Sequence, residues 1–243
     1  MNPQIFGWEH FLILGLSIAL AVPSIILMQK YIKDEKSRNI ILKVVAGVLL
    51  VAIITNRLSL VFKYSTPEWY RIIPDSFCGM SSLVLSLAVL LGKKDNNVLH
   101  YVWFMALLGG SVTMIYPDFI GQSTSVFYLP TISGLLHHIL AVYLVTLLLT
   151  FKYVIPTYKK WYCTLFGFTA YITIGSFEIF ALGASDAFYM QKPILEGTPL
   201  NVWVLIPLYI LLYGATIAII EWIRIKKKNK KLNNAKQNLN KDA

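Results

Sequence analysis

Charge is what this chain has least of. Only 14% of its 243 residues are Asp, Glu, Lys or Arg, against about a quarter in soluble domains. That leaves too little polar surface to clothe a soluble fold. Acidic groups are scarcest, with 12 Asp and Glu against 22 Lys and Arg. Cys78 and Cys163 are the only cysteines, too few for a disulfide scaffold. No phosphate-binding Walker loop, dinucleotide fingerprint, G-x-S-x-G elbow, H-E-x-x-H helix or paired-cysteine spacing occurs, so neither a metal nor a cofactor is implied. The first apolar run lacks a basic leader and ends in Met28-Gln29-Lys30 without a small-residue cleavage site, so it reads as a span rather than a signal peptide.

Apolar residues make up 56% of the chain and fall into blocks of about 20, the length that crosses a bilayer as a helix. The blocks are His10–Met28, Ile40–Phe62, Pro74–Leu91, Val98–Tyr116, Thr131–Phe151, Trp161–Leu182 and Val202–Ile223. The expected fold is therefore an all-α polytopic membrane protein of about seven transmembrane helices. Residues 1–223 form the membrane domain. Residues 224–243 form a basic tail that cannot bury apolar surface and is expected to be disordered.

The net charge of +10 would suggest nucleic acid in a soluble protein. Here the positives sit in short loops and the tail, which points to membrane lipids as the partner and not to nucleic acid. Lys and Arg in alternate connections divide about six to one. One side holds Lys30, Lys33, Lys36, Arg38, Lys43, Lys93, Lys94, Lys152, Lys159, Lys160 and the tail; the other holds Lys63, Arg71 and Lys192. The positive-inside rule then places the N-terminus outside and the C-terminus in the cytoplasm of a plasma-membrane protein.

That orientation gives each polar residue a depth, at about 1.5 Å per helical residue. Arg57 lies about 8 Å below the outer end of the second span, Cys78 about 6 Å below Pro74, and His137 about 10 Å below Pro130. Glu178 lies about 6 Å below Leu182, while Tyr116, Asp118 and His10 sit at the outer rim. Ionisable groups are costly in lipid, and scattered structural polarity would not gather at one depth. A cavity opening toward the outer leaflet would produce the pattern. Asp75, Cys78 and Ser82 at i, i+3 and i+7, and Ser133 and His137 at i and i+4, would each share one helix face. Asn56 and Arg57 are adjacent, so at most one is expected to point straight into a shared cavity. Gly109-Gly110 would let a helix or ligand approach closely.

Cys78 is the candidate nucleophile, because a thiol with a base at matched depth can become a thiolate. A buried cysteine is otherwise a small hydrophobe. His137, on the Ser133 face, suits the base better than His138, about 100° round the helix. Arg57 must pair with Asp75, Asp118, Glu178 or an anionic ligand. Asn56 and Tyr116 complete the substrate-binding candidates. Asp118 either orients the histidine or caps a helix end; Asp75, His138 and Glu178 are supporting candidates.

Pro74-x-x-x-Cys78 opening a span, the Gly-Gly span ending in Tyr116-Pro117-Asp118, Phe127 and then His137 form an ordered set. So do Tyr189-Met190-x-Lys192-Pro193, Trp203 and Pro207-Leu208-Tyr209. Together they resemble the YwaF-like bacterial integral membrane family, whose eukaryotic relative is transmembrane protein 164. The match runs from about Asn56 to Tyr213, departing from the pattern at Ser76, where relatives often carry histidine, and at Ala187-Phe188. The resemblance implies an acyltransferase-like membrane fold and transfer of a fatty acyl group between phospholipids, with the family cysteine at Cys78 and the family histidine at His137. The other reading is a transporter or binding subunit for a small amphipathic or ionic ligand, without catalysis.

Overall fold

A computed structural model of the chain describes residues 4–63, 65–118 and 123–239, with side chains to Lys230. Among the described residues there are seven α-helices: α1 Trp8–Tyr31, α2 Glu35–Val61, α3 Phe77–Leu90, α4 Asn97–Ile115, α5 Leu129–Thr150, α6 Tyr162–Phe180 and α7 Val202–Leu239. Each apolar block overlaps one of them, and six of the seven are long and apolar enough to cross a membrane, Phe77–Leu90 being the shorter one.

Local chemistry sets the boundaries. Asp34, Ser76 and Asn96 accept hydrogen bonds from the amides of Ser37, Gly79 and Leu99, capping α2, α3 and α4. Pro130 stands in the first turn of α5, where a missing N–H costs nothing. α4 stops at Tyr116, before Pro117.

Two expectations change. The third span is shorter than Pro74–Leu91, because Ser76 caps it and Pro74 and Asp75 stay outside. Its 14 residues reach only about 21 Å, short of the roughly 30 Å hydrocarbon core. Asp75 therefore cannot share a helix face with Cys78 and Ser82. The second change concerns the basic segment from Arg224, which continues α7 as helix to Leu239. The end at residue 223 is a change of composition, not of secondary structure. Once the apolar part of α7 is formed, adding lysine, leucine and alanine needs no new nucleus. Residues 240–243 of the tail lie outside the described residues.

The centre is the packed group α2, α3, α4 and α5. Leu42, Leu49, Leu85, Val89, Leu99, Val102, Leu144 and Leu148 are fully buried there. α6 docks on α4 with Gly167 against the Tyr101 ring, and α7 adds Tyr209 and Tyr213. Tyr209 packs on Phe104 and Phe168, and Tyr213 on Phe104, with ring centroids 5.0–5.6 Å apart. α1 is peripheral; His10 is its one buried residue among those described, with Nε2 2.7 Å from the Met114 carbonyl oxygen. Leu20, Leu91 and Phe180 remain 72–84% exposed on the outside of the bundle. In a membrane such faces meet lipid, and packing rather than burial from water holds helices together.

Candidate functional site

At one end of the central helices is a cavity of about 410 Å³. The C-terminal ends of α2 and α4, the start of α3 and the first turns of α5 bring polar side chains there. Asn56, Arg57, Cys78, Asp118, His137 and His138 all line it, so six of the expected site residues share one space.

Asn56 ties α2 to α5. Its Nδ2 donates to the Pro130 carbonyl at 3.0 Å and to Ser133 Oγ at 3.2 Å, and its Oδ1 accepts from Arg57 Nη2 at 3.2 Å. Arg57 reaches on to Asp75, with Nη1 2.9 Å from Oδ1. This resolves the choice of partner: Asp75 takes the ion pair. Asp75 sits on the extended segment ahead of α3 and is a third exposed, whereas Arg57 is nearly buried. Arg57 Nε is buried without a hydrogen-bond partner among the described residues. Both Asn56 and Arg57 reach the cavity, although adjacent helical positions diverge by about 100°. The long arginine side chain bends back to its neighbour and makes up the difference.

Cys78 stands in the first turn of α3, with Sγ 3.7 Å from Thr113 Oγ1. Gly109 is what lets α4 pass this close, since a Cβ there would lie 2.7 Å from Cys78 Sγ. The next residue, Gly110, faces α5, where a Cβ would meet Val142 Cγ2 at 2.8 Å and the His138 carbonyl oxygen at 3.2 Å. The glycine pair thus serves one neighbouring helix each. Ser82, one turn beyond Cys78, holds His137 with Oγ 3.2 Å from Nδ1. The His137 and His138 rings lie 4.1 Å apart.

The remaining candidates fall elsewhere. Tyr116 is not part of the cavity wall; it is 46% exposed and its ring lies 6.1 Å from Phe6. Its position after the last turn of α4 turns it toward the N-terminal segment. Glu178 is fully buried on α6, with neither carboxylate oxygen hydrogen-bonded among the described residues, and it makes no ion pair with Arg57. It too lies away from the cavity wall.

The helical architecture, the six membrane-length helices and the polar cavity set this chain among polytopic membrane proteins. The model of the TMEM164 family matches residues 5–225. The chain belongs to the TMEM164 family. This agrees with the relation to transmembrane protein 164 that the ordered motifs suggest. No curated protein and no solved structure matches the chain.

In this TMEM164-family chain several cavity residues escape sequence reasoning, among them Arg71, Thr113, Tyr128 and Tyr189; Tyr189 comes from furthest along the chain. It lies on the connection between α6 and α7, which folds back over the start of α3. The Phe188 amide donates to the Asp75 carbonyl at 2.7 Å, and the Val202 amide to the Tyr189 carbonyl at 2.9 Å. Phe188 and Tyr189 both hold left-handed backbone, at φ 52° and 58°, a conformation that side chains other than glycine resist. Phe188 is locked by stacking on Tyr171 at 5.4 Å, and that turns Tyr189 into the cavity. Burial is the main reason the Tyr189 phenol is raised above its ordinary pKa, with the Cys78 thiol and nearby carboxylates adding to it. The phenol therefore stays a hydrogen-bond donor. The paired left-handed residues could have been suspected only from the motif spacing, not from periodicity.

Proposed function

We propose that this TMEM164-family protein is a phospholipid acyltransferase that works through a Cys78 thioester. The observation that carries this reading is that a thiol and an imidazole line the same cavity. With Nδ1 engaged by Ser82, Nε2 of His137 is the ring nitrogen left to act as base. It takes the thiol proton, and the thiolate attacks the ester carbonyl of a phospholipid. The carbon–oxygen bond breaks, the lysolipid oxygen takes the proton back from the imidazolium, and the acyl group remains on sulfur. A second lysolipid hydroxyl then gives its proton to His137 and attacks the thioester, releasing the thiolate.

The Phe77 and Cys78 amides at the start of α3, ahead of the Gly79 amide that Ser76 caps, suit the oxyanion. Arg57 suits the donor phosphate, with Asn56 holding its guanidinium in place through Oδ1, and Asp118 at the rim completes the polar wall. The lysine asymmetry supports an N-terminus outside and a cavity served by the outer leaflet of the plasma membrane. The fully buried apolar layer beneath, Leu85, Val89, Leu144 and Leu148, favours a closed reaction site over a conduit.

The test is acyl transfer between labelled phospholipid and lysophospholipid by purified protein. Cys78→Ala and His137→Ala should each abolish it, and the wild type should accumulate an acyl adduct on Cys78 when acceptor is withheld. Full transfer in both variants would end the proposal.

A further inference from the structure

At the opposite end of the central helices lies a second cavity, of about 280 Å³. It is built from the turn between α1 and α2, the first turns of α2, the α3–α4 turn and the end of α5. Its cations come from three regions of the chain: Lys33 and Arg38 from the α1–α2 turn and the start of α2, Lys94 from the α3–α4 turn, and Lys152 from the end of α5. Glu35 is the only carboxylate on its wall, and it bonds Lys94 at 2.6 Å. The other acids of this end are already engaged. Asp34 caps the Ser37 amide, and Asp95 accepts from His100 and the Ile155 amide at 2.8 and 3.0 Å. Lys33 Nζ donates to the Gln29 carbonyl at 2.6 Å, which leaves its charge uncompensated, so with Lys94 paired to Glu35 the net excess is carried by Lys33, Arg38 and Lys152.

Two features separate this from lysines placed merely to orient the chain. The Arg38 Nε donates to the Ile32 carbonyl at 3.0 Å, and its guanidinium lies over the Phe151 ring at 5.2 Å. The plane of the group is therefore set, with its two terminal nitrogens left for an acceptor. The end of α5 then makes a six-to-one turn, with the Tyr153 amide on the Leu148 carbonyl at 2.8 Å and the Lys152 amide on the Leu149 carbonyl at 3.2 Å. The left-handed position of that turn normally goes to glycine. Here it is Lys152, at φ 55°, with an exposed side chain. A charge is kept where the backbone favours its absence.

We propose that this cavity binds the phosphate headgroup of an anionic lipid. Phosphate is the acceptor that a planar guanidinium with ammonium groups nearby recognises. A lipid is favoured over a soluble phosphate because the cavity sits at the ends of membrane-length helices, on the lysine-rich face. Exposed Ile40 and Val44 run from it along α2 and suit the acyl chains. This site is separate from the thiol cavity, and the proposal does not depend on any acyl transfer.

The test uses the full chain in neutral detergent micelles. Short-chain phosphatidylglycerol, phosphatidylcholine of equal length and glycerol phosphate are titrated, and the melting temperature is read. Phosphatidylglycerol should raise it saturably and the other two should not. Lys152→Gly and Arg38→Gln should each move the half-saturation point up about fivefold, the weight of one charge near a headgroup. Lys228→Gln with Lys230→Gln, equal or greater in charge loss, should leave it unchanged. Lys152→Gly also removes the backbone strain, so a melting temperature at or above wild type without lipid separates lost binding from a weakened fold. If that variant does not fold, Arg38→Gln decides alone. Equal protection by phosphatidylcholine or glycerol phosphate would overturn the proposal. So would an equal shift in the tail variant.

Discussion

The sharpest prediction concerns two adjacent glycines that do different work. Gly109→Ala sets a methyl 2.7 Å from Cys78 Sγ, and Gly110→Ala sets one 2.8 Å from Val142 Cγ2 and 3.2 Å from the His138 carbonyl. Overpacking costs about 1–3 kcal/mol, and alanine in place of glycine returns about 1 kcal/mol in helix propensity. The two sites divide on what can give way. At Gly109 the obstacle is one sulfur on one rotatable bond, and turning it costs about 0.5–1.5 kcal/mol. Gly109→Ala should therefore melt within about 1 kcal/mol of wild type. Its thiol should nevertheless be displaced by an ångström or so, enough to cut turnover about 100-fold.

At Gly110 the obstacles are a stiff β-branched side chain and a backbone carbonyl, so α4 and α5 must separate. Gly110→Ala should lose about 1–2 kcal/mol net of stability. The assays are thermal melting in micelles, acyl transfer, and the rate of Cys78 labelling by a thiol reagent. Wild-type labelling and turnover in Gly109→Ala would refute the reasoning. So would a Gly110→Ala protein as stable as Gly109→Ala.

Arg57→Met combined with Asp75→Asn should show a coupling of about 1 kcal/mol, held down by the exposure of Asp75. Coupling of Arg57→Met to Glu178→Gln should be weaker, and the reverse order would mean that the buried carboxylate is the true partner. At the other end, burial pushes the Asp95 carboxyl up, but the Ile155 amide, His100 and Lys160 outweigh it and hold it below its ordinary range. Its stabilising contribution is full above the ordinary carboxylate pKa and disappears as pH falls through the lowered value. Wild-type melting should fall more steeply than that of Asp95→Asn between neutral pH and about pH 3; parallel curves would contradict this.

Much of the site was legible before any tertiary contact was known. Depth arithmetic placed Arg57, Cys78 and His137 near one level, and helical spacing put Ser133 with His137 and Ser82 with Cys78. The Asn56–Ser133 and Ser82–His137 bonds join those same faces. Glu178 missed the cavity from within α6, and two further misses fall where regular helix ended. Asp75 left its expected face because Ser76 starts α3 later than the apolar run does. Tyr116 turned away because it follows the last turn of α4 and no longer obeys helical spacing.

The sequence by itself determined the number of helices, their approximate ends and the end of the bundle where polar groups gather. Those follow from hydrophobic run length and from 1.5 Å of rise per residue, which are local quantities. Only the tertiary structure decided that Arg57 takes Asp75, that Tyr189 shares the cavity of Cys78, and that lysines from separate connections line one basic cavity. Each depends on the relative placement of segments distant in the chain. Packing sets that placement, through contacts such as Gly109 on Cys78 and Phe188 on Tyr171, and no periodicity within a single helix encodes it.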